Sequence, residues 1–209
     1  MAVNSDLMTD TGLDRGKREL LDAAERLIAT RGYEVPLRDI AVAAGHRNNS
    51  AVQYHYGNRQ GLIAAIVARR LGPMESERAR MLETFAAQGK KPTVRDLISV
   101  LVLPILEMKG THYARFLEVT RPSWPDESIP TGYTEWPKVL EQLDKSLDGD
   151  TATRHRRVAA VATAMFALIA DFERRTESGD QAESEPDEII DMLTSMMTTP
   201  LRTRTDRTD

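Results

Sequence analysis

Apolar residues recur along this chain three and four positions apart, the spacing that lines one face of an α-helix, and no run alternates at period two as a half-buried strand would. The fold class this predicts is all-α. A first helix is expected from near Asp14, with Leu20, Leu21, Ala24, Leu27 and Ile28 on one face. Gly32 closes it, because glycine takes the left-handed backbone of a helix end without steric cost. Pro36 interrupts the chain. Residues 37–44 read as a short second helix ended by Gly45, and residues 49–56 as a third stopped by Gly57. Asn58 caps a fourth helix, which Gly72-Pro73 is expected to end after Leu71.

Longer helices follow over residues 74–87, 93–109, 111–121, 134–147, 151–177 and 186–197, the second of them kinked by Pro104. Residues 122–132 carry three prolines and residues 178–185 are polar, so both read as irregular. These boundaries divide the chain into a flexible arm (1–13), a head (14–58), a larger helical body (59–199) and a disordered tail (200–209) too polar to build a core.

Composition sharpens this picture once it is divided. The 209 residues hold 28 Lys and Arg against 32 Asp and Glu, a formal charge of −4 that on its face speaks against a nucleic-acid binder. The charges are segregated, however. Residues 14–70 carry 10 basic and 6 acidic side chains, whereas residues 71–209 carry 18 and 24. A modestly basic head therefore sits on an acidic body, as suits an anion-binding module. The chain has no cysteine, which excludes disulfides, thiol nucleophiles and Cys-ligated zinc. Its start lacks an apolar signal segment, and the longest uncharged apolar stretch, 158–170, is too short to span a bilayer. A cytoplasmic protein without a membrane partner is expected.

Enzyme signatures are missing: there is no GxGxxG, P-loop, GxSxG or HExxH. His46, His55, His112 and His155 are scattered without metal-ligand spacing. Asp171, on an otherwise apolar helix, is the one carboxylate worth considering for catalysis, and a helix-pairing role explains it better. The expectation is a non-enzyme with no cofactor and no metal.

The informative segment is LRDIAVAAGHRNNSAVQYHYGNRQGL, residues 37–62. Two short helices meet at a tight turn around Gly45, with Leu37, Ile40, Ala41 and Ala44 facing inward and Ala51, Val52 and Tyr56 completing a small core. Arg47, Asn48, Asn49, Ser50, Gln53, Tyr54 and His55 are left to project outward, with Arg38 on the preceding helix. A short helix of this kind fits the major groove, where Asn and Gln read adenine and Arg reads guanine. Ser50, Tyr54 and His55 suit phosphate contacts, which fix register without reading sequence. Arg59, in the first turn of the next helix, offers a further phosphate site, and Arg15, Lys17 and Arg18 could reach flanking DNA. Spacing alone leaves a second reading open, a helical core corner with a solvated polar face.

The stretch from Arg15 to Ile66 resembles the N-terminal domain of TetR-type transcriptional regulators. LLDAAERLIATRGYE, LRDIAVAAG and YHYGNRQGLIAAI occur in that order, over about a quarter of the chain. The resemblance implies a three-helix helix-turn-helix DNA-binding domain, a helical ligand-binding and dimerisation body, and repression relieved by a small molecule. Two departures matter. HRNNS is one residue longer than the usual turn, and Gln53 stands where the family often has a tyrosine, which makes Gln53 a candidate base reader. Asn58-Arg59 replaces the frequent Ser-Lys, keeping cap and charge.

In the body, Val158, Val161, Met165, Leu168, Ile169 and Phe172 follow helical spacing, with Ala160, Ala164 and Ala167 on an adjoining face. Ile189, Leu193 and Met196 mark a second apolar helix. By resemblance the last two long helices form a four-helix homodimer interface, for which Val158, Val161, Met165, Phe172, Ile189, Leu193 and Met196 are the candidates; a monomer core is the other reading. A ligand cavity could draw on Met108, Tyr113, Phe116, Trp124, Trp136, Met165, Phe166 and Ile169, because Met and Trp suit an adaptable apolar pocket. Trp124 and Trp136 bracket the proline-rich segment and could cover the pocket. The function expected is a homodimeric repressor that binds a palindromic double-stranded operator and is released by a small, largely apolar effector. An activator or a protein-partner-responsive regulator is the alternative, with a purely structural helical dimer or a helical enzyme more distant.

Overall fold

The computed structural model describes residues 14–48, 50–123, 134–180 and 185–200. Among them are nine α-helices and no strand: α1 (Arg15–Arg31), α2 (Leu37–Ala43), α3 (Ser50–Tyr56), α4 (Arg59–Ala87), α5 (Val94–Leu106), α6 (Tyr113–Thr120), α7 (Glu135–Lys145), α8 (Thr151–Ser178) and α9 (Glu185–Thr198). A single 3-10 turn, Arg121–Ser123, follows α6. The expected arm 1–13, most of the proline-rich segment including Trp124, residues 181–184, the tail from 201 and Asn49 lie outside the described residues.

The first helices follow the apolar pattern closely. Leu20, Leu21, Ala24, Leu27 and Ile28 are all buried, and Gly32 ends α1 at φ +93°. Helices α2 and α3 pack over α1 and α4 through Ile40, Ala41 and Val52, each with no exposed surface.

The expected break at Gly72-Pro73 does not occur. The predicted fourth and fifth helices are one, α4, of 29 residues. Proline removes one N–H, the donor to the Arg69 carbonyl, but it does not forbid the helix from continuing when burial favours it. Here the buried stripe Leu62, Ile63, Ile66 and Val67 extends through Met74 to Arg78, and the Ser76 hydroxyl donates to the Gly72 carbonyl at 3.2 Å. Tertiary packing overrides the local signal.

The body assembles around α5 and α8. Helix α5 begins with a capping box, in which Thr93 accepts from the Asp96 amide while the Asp96 carboxylate accepts from the Thr93 amide, and Pro104 lies buried inside it. Asp150 caps α8 by accepting from the Thr153 amide at 2.7 Å. Helix α8 packs on α6 and α9, α5 on α9, and α7 bridges α4, α5 and α8. Helix α6 also packs on α1, so the body reaches the head directly. No helix among the described residues is long and apolar enough to cross a membrane.

Candidate functional site

The outward face of the head is set by how α3 is anchored. Val52 is its buried residue, and the positions one turn on, His55 and Tyr56, are half-buried, so Ser50, Gln53 and Tyr54 occupy the opposite side and are exposed. Tyr54 is 85% exposed, unusual for a large aromatic side chain. The His55 ring stands edge-on to Tyr54 with centroids 4.8 Å apart. Arg38 and Arg47 are exposed as well.

The turn before α3 has an internal order. Gly45 adopts φ +79°, and the His46 amide donates to the Ala41 carbonyl at 2.9 Å. Asn48 Oδ1 accepts from the Ser50 amide at 3.0 Å and from the Ser50 hydroxyl. Asn48 therefore starts α3, and its side-chain acceptor is committed to that turn.

Arg59 departs from expectation. Its Nη1 and Nη2 donate to the carbonyls of Tyr33 and Val35, the latter at 2.7 Å, and the guanidinium lies 5.5 Å from the Tyr33 ring centre. Those carbonyls belong to the α1–α2 connection. Arg59 thereby braces the α1–α2 connection against the start of α4, a structural role that the expected phosphate contact did not include. Asn58 does cap α4, accepting from the Gly61 amide at 2.9 Å. The Tyr56 hydroxyl donates to the Lys17 carbonyl at 3.3 Å, and burial pushes its pKa up to about 12, the nearby charge of Arg69 acting in the opposite sense.

Head and body share a buried charge cluster. The Glu25 carboxylate accepts from Arg70 Nε and Nη2, both at 2.9 Å, and from the His112 amide at 3.1 Å. Arg69 reaches Asp22 at 2.7 Å. Burial opposes the charge on Arg70, but the Glu25 pairing more than offsets it and holds the guanidinium above its ordinary value.

The body contains an apolar cavity of about 670 Å³ between α4, α6, α7 and α8. Its size lies inside the usual range of ~300–1,000 Å³ for small-ligand sites. Tyr113, Trp136 and Phe166 line it, as expected. Met108 and Ile169 line a smaller pocket beside α6, while Phe116 and Met165 are core residues outside both. The sequence reading missed Arg78, Arg121 and His155 on the larger cavity's wall. Only register could have flagged Arg78: it continues the stripe Val67, Leu71, Met74 at helical spacing. It is fully buried, bonded to Glu75 at 3.0 Å and set 4.9 Å from the Trp136 ring centre. Burial pushes its guanidinium below the ordinary value against the pull of Glu75. Glu75 in turn accepts from the Glu135 and Trp136 amides at the start of α7.

The dimer candidates need the largest correction. Val161, Met165, Phe172, Ile189 and Leu193 are buried inside the protomer, and Val158 lines the cavity. Helix α8 bears two apolar stripes, and the larger side chains took the inward one. What remains exposed is Ala160 and Ala167 on α8, beside half-buried Leu168, with Met192 and the candidate Met196 on α9, the methionines 47% and 43% exposed. Asp171 forms ion pairs with Arg174 and Arg175 one turn on, at 3.5 and 3.1 Å, the helix-pairing role preferred for it.

Residues 20–66, covering α2, α3 and the helices that hold them, match the sequence model of the bacterial regulatory proteins of the tetR family. Over those residues the head is similar to the DNA-binding domain of TetR-type regulators. Over 136 residues it is 24% identical to the HTH-type transcriptional repressor AcnR of Corynebacterium diphtheriae, a match covering 65% of this chain and 64% of that repressor. The match thus spans less than two thirds of the relative's length. The fold as a whole resembles the crystal structure of a protein from Rhodococcus sp. described as a TetR-family transcriptional regulator. That likeness has a TM-score of 0.52 at 16% identity and covers 88% of this chain and all of the other.

Proposed function

We propose that this protein is a TetR-type transcriptional repressor that binds a palindromic operator as a homodimer and releases it when a small, largely apolar effector fills the body cavity. The observation that carries this reading is the short helix α3, buried through Val52 alone, which exposes Ser50, Gln53 and Tyr54 together beside Arg38 and Arg47. In the major groove Gln53 reads a base edge, while Tyr54 and the arginines contact phosphate or guanine.

The exposed methionine and alanine face of α8 and α9 supports a twin packed about a two-fold axis, because small residues let helices approach closely. Two heads on that axis would meet half-sites about one helical turn (~34 Å) apart. Release is a linkage effect: an effector that binds better to one spacing of the heads shifts the population toward it by its differential affinity. The route is short, because α4 and α6 wall the cavity and also touch α1.

Fluorescence anisotropy on an inverted repeat upstream of the protein's own gene tests the reading. Specific binding that weakens steeply with salt is expected. Absence of both specific and nonspecific binding at low salt would overturn it.

A further inference from the structure

The charges on the cavity wall are not all of one kind. Arg78 is answered by Glu75 at 3.0 Å. Of the wall carboxylates, Asp144 is answered by Arg154 at 3.3 Å and Glu141 by Lys145 at 2.6 Å. Arg121 differs. Among the described residues it has no carboxylate partner. Its Nη2 donates to the Thr163 hydroxyl at 2.8 Å, and its guanidinium lies 5.2 Å from the Phe166 ring centre. Phe166 is itself a wall residue, 6.5 Å from the Trp136 ring.

Arg121 is thus oriented by a hydroxyl and an aromatic face at the edge of an apolar chamber, with most of its five N–H donors still unspent. A guanidinium in this setting pairs with a planar two-oxygen anion in a forked geometry, which a lysine or a neutral donor would not reproduce. Since the other wall carboxylates and Arg78 are paired locally, a bound cation would face an arginine that has no carboxylate among the described residues, and a bound anion would complete it.

We propose that the effector is an amphiphilic carboxylate, its apolar body lying against Trp136, Phe166, Leu117 and Leu140 and its carboxylate forked onto Arg121. This inference rests on the reading of the cavity as the effector site. Shape sets the length of the apolar part, and Arg121 selects the head group.

The experiment uses the full chain, with Nile red as a neutral reporter of the cavity and dodecanoate, methyl dodecanoate and dodecylamine as competitors below their aggregation limits. Dodecanoate is expected to displace the dye with a Kd roughly tenfold below those of the ester and the amine, as a charge-assisted pair would give. Arg121→Gln should erase that gap while leaving the ester's affinity unchanged, and Arg121→Lys should restore part of it. An ester or amine that competes equally well, or a gap that survives Arg121→Gln, overturns the carboxylate assignment and leaves the cavity reading standing. If Nile red does not bind, or binds equally to a folded Val158→Trp variant whose cavity is filled, the cavity reading fails and this inference fails with it.

Discussion

Glu25 of the head and Glu173 of the body hold neighbouring amides at the start of α6: Glu25 accepts from His112 at 3.1 Å, and Glu173 from Ala114 at 3.0 Å. Glu173 also binds Arg115 Nε at 2.8 Å. Two carboxylates from separate helices thus grip one helix end whose amides have no partner within the helix. Any shift of α6 must be shared by α1 or break the Glu25 contacts. Glu25→Gln keeps the shape but leaves Arg70 without its buried counter-charge. It should cost about 3 kcal/mol of stability, the scale for breaking a buried ion pair. A urea midpoint unchanged by Glu25→Gln would show that this junction carries no energy.

Arg59 and Gln53 should behave oppositely in the same DNA-binding experiment. Gln53→Ala removes an exposed side chain and should leave thermal stability unchanged, while costing about 1–3 kcal/mol at one base pair of a cognate site. Arg59→Ala strips the Tyr33 and Val35 carbonyls of their donor and should lower stability by about 1–3 kcal/mol. A base-preference profile unaltered by Gln53→Ala would remove its role. An Arg59→Ala head as stable as the parent would show the brace to be idle.

The contrast between these two residues shows what could be read before the structure. The outward face of α3 was legible, because burial of Val52 at a period of 3.6 leaves few choices for its neighbours. Arg59 was not: an arginine in a first helical turn looks the same whether it faces a phosphate or two carbonyls many residues earlier. Gly72-Pro73 misled for a related reason, since the stripe that carries α4 onward ends at Arg78, a charged residue in an apolar register. Of the dimer candidates Met196 is exposed, while most of the others face the protomer core, because α8 has two apolar stripes and its packing against α6 and α9 decides which is inward.

The exposed methionines offer a direct check on association. Met192→Glu together with Met196→Glu places two carboxylates on the face proposed for the twin, where burial without partners is costly. The dimer dissociation constant should rise roughly 100-fold or more, with the protomer's helical content intact. Sedimentation equilibrium reads it. An undisturbed dimer would move the interface elsewhere.

Gly61 marks a constraint on the α3–α4 junction that composition does not reveal. A Cβ there would sit 2.0 Å from the Tyr56 carbonyl oxygen, inside any tolerable contact, and the obstacle is backbone rather than a yielding side chain. Gly61→Ala must push the end of α3 away from the start of α4. Overpacking of this kind typically costs about 1–3 kcal/mol. Because α3 carries the exposed face, DNA affinity should fall by more than the loss of folded population explains. Denaturation and binding curves on the same sample test this, and an Ala variant matching the parent in both would mean the junction opens freely.

Tyr56 gives the head a dependence on alkaline pH. Burial pushes its pKa from 10.0 in the unfolded chain up to about 12, so between those values the unfolded state has released the proton and the folded state still holds it. Stability falls with pH wherever the folded state binds more protons. The contribution of Tyr56 is therefore complete below pH 10 and is lost as pH rises toward 12. Tyr56→Phe cannot ionise and should show a shallower decline over that window. At neutral pH the same change deletes the bond to the Lys17 carbonyl and should cost about 1 kcal/mol. Urea midpoints at neutral pH and at two points between pH 10 and 12 separate the two effects. Parallel curves for parent and variant would show that the Tyr56 hydroxyl is not held by the fold, and the α1–α3 contact would then rest on the ring alone.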